Sequence, residues 1–320
     1  IVKIGGRVMI IKGKERSGKV VVLLGGNSPE RDISLDSGRN VLDGLLELGV
    51  DAVAIDPQNK DWQQQLLAIN PCYIFVILHG PNGEDGIMQG FLEINNFAYS
   101  GSNVLGSALA MEKGKSKQIW QSNSLPTLPF IYIKDMSFET ISKIEADFSF
   151  PLCLKTVNGG SSIGIEKVTS KEYLPLAYSK LSKFGSDIIC ENWLENIKEY
   201  TVGILGDKAL PAIQIVPTNN YYDYDAKYNS SGTQYICPTD LPDELENNIK
   251  DIALKAFKSL GCSHFGRIDF IRDESDNFYL VEANTIPGFT RKSLVPMGAK
   301  ALGYSFNDLL LYLMPDSVKK

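Results

Sequence analysis

"FGRIDFIRDESDNFYLVEANTIPG", residues 265–288, is the stretch on which the reading of this chain turns. Two strand-like runs flank the polar turn "ESD", which predicts an antiparallel hairpin. Side chains alternate along a strand, so Arg267 and Asp269 share one face, as do Glu282 and Asn284. The hairpin can bring all four groups to one side. Two carboxylates and an amide oxygen held close together repel one another unless a hard cation sits between them. With no Cys or His among the four, the ligands are all oxygen, which favours Mg2+ or Mn2+ over zinc. Mg2+ takes few protein ligands and fills its sphere with water and substrate phosphates, so the pattern suggests nucleoside triphosphate chemistry. The alternative is a solvated hairpin face with ordinary charge pairing.

Working outward, residues from Val20 alternate strand and helix. "VVVLLGG" reads as a buried strand and "ERDISLDSGRNVLDGLLELG" as a helix with a glycine stop, followed by "AVAID", "WQQQLLAIN" and "CYIFVILHG". This order implies parallel βαβ units. A single helix, "SALAMEKGKSKQIWQ", is expected to carry the chain onward near Ser107. The middle reads as strands "FPLCLKTV", "SIGIEKV" and "DIICENWL" with one helix around 171–184. The last third has strands "YTVGILG" and "LPAIQIV", a polar tyrosine-rich loop at 219–235, a helix at 243–260 and the hairpin. The expected division is an extension of unknown role (1–18), an α/β domain (19–107), a central segment (108–200) and a C-terminal segment (201–320).

The 320 residues suit two or three domains. A net charge of −6 gives no electrostatic reason to expect nucleic acid. Apolar runs such as "YIFVIL" fall far short of the roughly 20 residues that span a bilayer, so no membrane association is expected. Five scattered cysteines without a CxxC pair argue for reduced thiols and a cytoplasmic protein. "GKERSGKV" (13–20) imitates a phosphate-binding P-loop. It ends in Val20 where a hydroxyl must meet Mg2+, and a strand follows instead of a helix, so it reads as a polar turn.

Several other residues suit a triphosphate. Lys155 places an ammonium at a strand edge, or else snorkels to the surface. The loop "NGGSSIG" offers backbone N–H groups. Lys113 begins a helix, and Glu191 ends a strand, where it accepts from ribose or adenine or is a plain surface glutamate.

Eight motifs in order, "LLGGNSPERDIS", "LHGPNGEDG", "MEKGKSK", "GGSSIG", "YDYDAKY", "GRIDF", "VEANTIPG" and "SLVPM", make the chain resemble the D-alanine–D-alanine ligases of the ATP-grasp superfamily from Val20 to Leu313. The resemblance implies an α/β, three-domain ATP-grasp architecture: an N-terminal parallel βαβ domain followed by central and C-terminal α+β domains. It implies ATP, two Mg2+ (or Mn2+) and D-alanine as cofactors and substrates, a peptidoglycan precursor as product, and a homodimer. In such enzymes ATP phosphorylates one D-alanine carboxylate and the amine of a second D-alanine attacks the acyl phosphate.

By the same resemblance, Asp269, Glu282 and Asn284 hold the metal ions. Lys113, Lys155 and Lys227 bind phosphates, while Glu191, Trp193, Leu194 and Glu199 line the adenine and ribose pocket. Arg267 and the Gly288 N–H stabilise the oxyanion. Glu30 takes the ammonium of the first D-alanine and His79 its carboxylate. Ser293 and Leu294 hold the carboxylate of the second. Tyr228, bonded to Ser161 and Glu30, bridges a closing loop to the first-substrate site and favours an amine acceptor over D-lactate. Arg291 and Lys292 read as surface charges nearby. The chain departs from the usual pattern at Thr156, Val157 and Gly159, which puts side-chain contacts from that loop in doubt but not a backbone cradle. Two other readings remain: a ligase with D-lactate or D-serine as acceptor, and a non-catalytic ATP-binding regulator on the same scaffold.

Overall fold

The computed structural model describes residues 2–4, 7–9, 17–160, 164–185, 187–217 and 232–318. A short antiparallel pair, β1 (Val2–Ile4) and β2 (Arg7–Met9), comes first. The run "VVVLLGG" then forms most of β3 (Ser17–Leu23), so the P-loop imitation does lead into a strand. After it come α1 (Arg31–Glu47), β4 (Ala52–Ile55), α2 (Trp62–Ile69) and β5 (Pro71–Val76). The three strands pair in parallel, in the order β4-β3-β5. Val20 to Leu23 are wholly buried, as a continuous apolar run must be in a sheet covered on both faces.

α3 (Ile87–Ile94) follows, and then two helices, α4 (Val104–Met111) and α5 (Lys113–Ser122), where one was expected. The break is at Glu112, whose backbone is extended and whose side chain caps α5 by accepting from the Lys115 N–H. The Lys113 N–H leaves the helical pattern to donate to Val157 O at 3.0 Å.

The central sheet comprises β6 (Phe130–Ile133), β7 (Leu152–Thr156), β8 (Ile165–Val168) and β9 (Ile188–Asn192), antiparallel in the order β6-β9-β7-β8. Besides α7 (Leu174–Ser182) this region holds α6 (Phe138–Asp147), which corrects the expectation of a single helix there. Its start signal is Ser137, which accepts from the Thr140 N–H.

The last sheet is built from β10 (Lys198–Leu205), β11 (Lys208–Val216), β12 (Gln234–Ile236), β13 (Phe265–Arg272) and β14 (Phe278–Asn284), antiparallel in the order β12-β11-β10-β13-β14. Helix α8 (Asp243–Ser259) covers it with a stripe of Ile249, Ala253, Ala256 and Phe257. Two short helices, α9 (Leu294–Ala301) and α10 (Phe306–Leu313), close the described chain. α10 returns to the first sheet: Leu309, Leu310 and Leu313 share a core with Val20, Val22 and Phe75. Among the described residues no helix is long and apolar enough to cross a membrane.

Candidate active site

The β13–β14 hairpin forms as expected, and it pairs Arg267 with Asn284 and Asp269 with Glu282. Ile268, Phe270, Leu280 and Ala283 point the other way, into the core beneath α8, and that burial turns the four polar groups outward. Arg267 donates Nε to Asp269 Oδ1 and Nη2 to Oδ2, both at 2.7 Å. Asp269 also accepts from Thr201 Oγ1 at 2.6 Å and from Asn284 Nδ2 at 3.0 Å. Glu282 lies 3.0 Å from Lys113 Nζ. The repulsion expected between the two carboxylates is therefore relieved by protein cations, and no metal ion is needed to explain why they sit together.

The donor set is two carboxylates and one amide, all oxygen. Among the described residues no group of three or more His, Cys, Asp or Glu is placed to hold a metal ion. Hard cations that keep water and phosphate in their sphere suit so sparse a set, and by that chemistry the residues fit Mg2+ or Mn2+.

In front of the hairpin is a cavity of about 620 Å³ whose lining includes Glu30, His79, Lys113, Arg267, Glu282 and Asn284. Gly288, Ser293 and Leu294 line it from the other side. Glu30 stands at the N-cap position of α1, yet its side chain makes no capping bond, so helix capping does not account for it. Its carboxylate reaches toward Gly80 and Gly160: a Cβ on either would lie within 2.7 or 3.2 Å of Glu30 Oε2. Ser28 joins the two strand ends that carry this corner, donating to His79 O at 2.6 Å and accepting from the Glu30 N–H at 3.2 Å.

His79 is buried, its Nδ1–H donating to Ile286 O at 2.8 Å, with Ser37 Oγ 3.4 Å from Nε2. Burial pushes its pKa down to about 4, so the ring is neutral at pH 7. Ser293 Oγ accepts from the Thr290 N–H at 2.9 Å and does not cap α9, leaving the helix N-terminus open to the cavity. Arg291 is occupied by Glu47, at 2.7 and 2.8 Å, and stacks on Phe306. Lys292 lines the cavity.

Lys155, Glu191, Trp193, Leu194 and Glu199 lie outside this cavity's lining. Lys155 stands one residue from the end of β7, as expected, but it is buried, since β7 is an interior strand between β9 and β8, which corrects the snorkelling reading. Glu191 on β9 is also buried, not a surface glutamate, and Lys155 donates to it. Burial alone would raise the Glu191 pKa, but the ammonium groups of Lys117 and Lys155 outweigh it and hold the group at about 2. Trp193 and Leu194 follow β9, and Lys167 Nζ stands 5.1 Å over the Trp193 ring. Glu199 is on β10, opposite Ile215 and Ile271. Ser161, Lys227 and Tyr228 lie outside the described residues, as does the loop 219–235 up to residue 231. Tyr235, at its end, lines the cavity.

Two residues escaped the sequence reading. Glu84 accepts from the Gly80 N–H at 2.7 Å and lines the cavity; burial and the neighbouring Glu30 push its pKa up to about 8. Its signal was present, a carboxylate in the glycine-rich turn after β5, where open α/β sheets gather ligand contacts. Lys117 is almost fully buried against Glu191, and nothing local distinguishes it from a surface lysine of α5.

A parallel α/β unit followed by two antiparallel sheets is the ATP-grasp architecture. Residues 119–315 match the family model described as D-ala D-ala ligase C-terminus. The D-alanine–D-alanine ligase of Pseudoalteromonas translucida (strain TAC 125) is 43% identical over 302 residues, 94% of this chain and 97% of that protein. The chain belongs to the D-alanine–D-alanine ligase family. Among solved structures, the D-alanine–D-alanine ligase of Bacillus anthracis complexed with ATP superposes with a TM-score of 0.79 at 29% identity, covering 92% of this chain and 95% of that one. The VanG D-Ala:D-Ser ligase of Enterococcus faecalis does so with a TM-score of 0.81 at 27% identity, covering 93% and 98%.

Proposed function

We infer that the protein is an ATP-dependent ligase that joins two D-alanine molecules into D-alanyl-D-alanine through a D-alanyl phosphate, for peptidoglycan precursor synthesis. The observation that carries this reading is the convergence of Glu30, Arg267, Gly288 and Ser293 on one cavity beside the Asp269–Glu282 hairpin. Glu30 is the group for the ammonium of the first D-alanine, with neutral His79 near its carboxylate. Lys113 and Lys155, with Lys227, attract the phosphates as point charges. Glu191, Trp193, Leu194 and Glu199 take the adenosine. Asp269, Glu282 and Asn284 would hold two Mg2+ (or Mn2+), which when bound neutralise phosphate charge.

Asp269 grips Arg267 through two parallel bonds and so presets the plane of its guanidinium. Arg267 and the Gly288 N–H then stabilise the oxyanion that forms when the second amine attacks the acyl phosphate. Ser293 Oγ and the Leu294 N–H, at the open start of α9, suit the carboxylate of the second D-alanine. Closure of the loop carrying Tyr228, toward Ser161 and Glu30, would exclude water from the acyl phosphate.

A second acceptor deserves a separate arm because a D-Ala:D-Ser ligase superposes as closely as the D-alanine–D-alanine ligases do. The test is ADP release from the purified protein with Mg-ATP and D-alanine, alone or with D-serine or D-lactate, followed by chromatography of the products. D-Alanyl-D-alanine from D-alanine alone is expected. A mixed product in preference would reassign the acceptor, and ATP binding without turnover would leave a regulator.

The same proposal includes a cytoplasmic location and a homodimer, the latter supported by exposed Ile87 and Ile94 on α3 beside Leu105 on α4. It also divides the chain near residues 107 and 200: the central sheet falls within the middle segment, while β10 (Lys198–Leu205) of the last sheet straddles the second boundary.

A further inference from the structure

Behind the nucleotide-side strands lies a buried charged cluster that the reaction as described does not explain. Lys117, one helical turn after Lys113 on α5, is 1% exposed. Its ammonium donates to Thr127 Oγ1 at 2.8 Å and lies 2.8 Å from Glu191 Oε2. Thr127 Oγ1 in turn donates to Leu280 O at 3.0 Å, two residues before Glu282 on β14. The Leu280 N–H donates back to Pro126 O at 2.9 Å. The other Glu191 oxygen accepts from Lys155. A continuous polar chain therefore runs from β7 and β9 of the central sheet, through α5, to the hairpin strand that carries Glu282.

An apolar side chain would fill this space at lower desolvation penalty than an ammonium, which argues against simple packing. The cluster holds two ammonium groups and one carboxylate, an excess of one positive charge suited to an anionic ligand. Glu191 Oε2 is shut off from solvent and lies 2.8 Å from Lys117 Nζ, so Lys117 fixes the carboxylate from its buried side. The Glu191 side chain as a whole keeps 7% exposure, the part that a donor such as an exocyclic amine can approach.

We propose that Lys117 is a positioning residue for the nucleotide: it holds the Glu191 carboxylate toward the amino group of adenine and, through Thr127, sets Glu191 and Lys155 in register with the Glu282 hairpin. This rests on the nucleotide-binding reading given above. Guanine presents a carbonyl where adenine presents its amine, so a fixed carboxylate at that place rejects it, and the held geometry becomes a source of base selectivity.

The test compares wild type, Lys117→Met and Thr127→Val in binding of Mg-ATP and Mg-GTP, in steady-state kinetics and in thermal unfolding. In Lys117→Met the KM for ATP is expected to rise about tenfold or more, and the preference for ATP over GTP to fall by a similar factor. Thr127→Val, which removes both the bond from Lys117 and the bond to Leu280 O, should raise the ATP KM about threefold or more. The kcat at saturating ATP and the KM for D-alanine should stay within about threefold, since neither residue touches the reacting atoms. A folded Lys117→Met with wild-type ATP affinity and base preference overturns the proposal. So does a loss of kcat and D-alanine affinity in step with ATP affinity, which marks a general packing role. Should Lys117→Met not fold, an unchanged ATP KM in Thr127→Val overturns it equally. Wild type that neither binds Mg-ATP nor turns over D-alanine would overturn the functional reading, and the inference with it.

Discussion

Gly288 and Gly80 line up along the same site for opposite reasons. A Cβ on Gly288 would meet only Ser293, at 3.4 Å from Oγ and 4.0 Å from Cβ, and the backbone is not left-handed. Nothing in the fold itself excludes a side chain there. At Gly80, φ is +74° and a Cβ would sit 2.7 Å from Glu30 Oε2, so the fold alone demands glycine. Gly288→Ala should therefore unfold within about 2 °C of wild type, as an unstrained substitution does. Its kcat/KM for D-alanine should fall tenfold or more, by about the weight of a disturbed oxyanion donor. Full activity in that variant would mean that substrate does not approach the backbone at 288.

At the scale of elements, the break between α4 and α5 aims Lys113 at Glu282. A continuous helix would keep the 112–113 backbone in the i→i−4 ladder; instead Glu112 is extended, caps α5 through the Lys115 N–H, and accepts from Tyr132 OH at 3.0 Å. Removing the cap in Glu112→Ala should destabilise the protein by about 1 kcal/mol, lowering Tm by about 2–4 °C in a chain of this size. The ATP KM should rise with it as Lys113 loses its bearing, and Glu112→Asp should recover most of both. If Glu112→Ala leaves Tm and the ATP KM unchanged, the Val157 carbonyl alone sets the break.

Across the whole molecule, His264 ties three distant parts together. Its Nδ1 accepts from the Gly101 N–H at 2.9 Å, ahead of α4, and the Leu313 backbone at the end of α10 lies close enough to favour the charged ring without outweighing burial. A ring that accepts at Nδ1 must be neutral, and burial pushes its pKa down to about 4, as it does for His79. Both folded values lie below the ordinary 6.5, so the unfolded chain binds more protons between about pH 6.5 and 4. Stability is thus fully present above pH 6.5 and falls as pH drops, by up to about 1.4 kcal/mol per unit for each histidine. Over pH 7.5 to 4.5 the raised Glu84 carboxyl works the opposite way, adding stability as pH falls, so the histidine contribution is read by difference: relative to wild type, His264→Gln should lose less stability between pH 6.5 and 4.5 in thermal unfolding. A slope equal to wild type in that variant would remove His264 from the account.

The chemistry of the hairpin was determined by the sequence itself. Alternation and a tight turn are local, so placing Arg267, Asp269, Glu282 and Asn284 on one face needed nothing beyond residues 265–288. The motifs around it carried the family and the expectation of an ATP-dependent ligase. Secondary structure was harder to read where one backbone conformation at one residue decided it, as at Glu112 and at the Ser137 cap. The tertiary structure alone decided the electrostatics. Whether Lys155 and Glu191 are surface charges or a buried pair depends on β7 and β9 falling in the interior of their sheet. Whether Lys117 matters depends on α5 lying against β14. Whether two carboxylates repel depends on cations that fold in from elsewhere, and Lys113 reaches Glu282 from 169 positions away in the chain. Burial and charge pairing are properties of what surrounds a side chain in space, and spacing along the chain does not encode them.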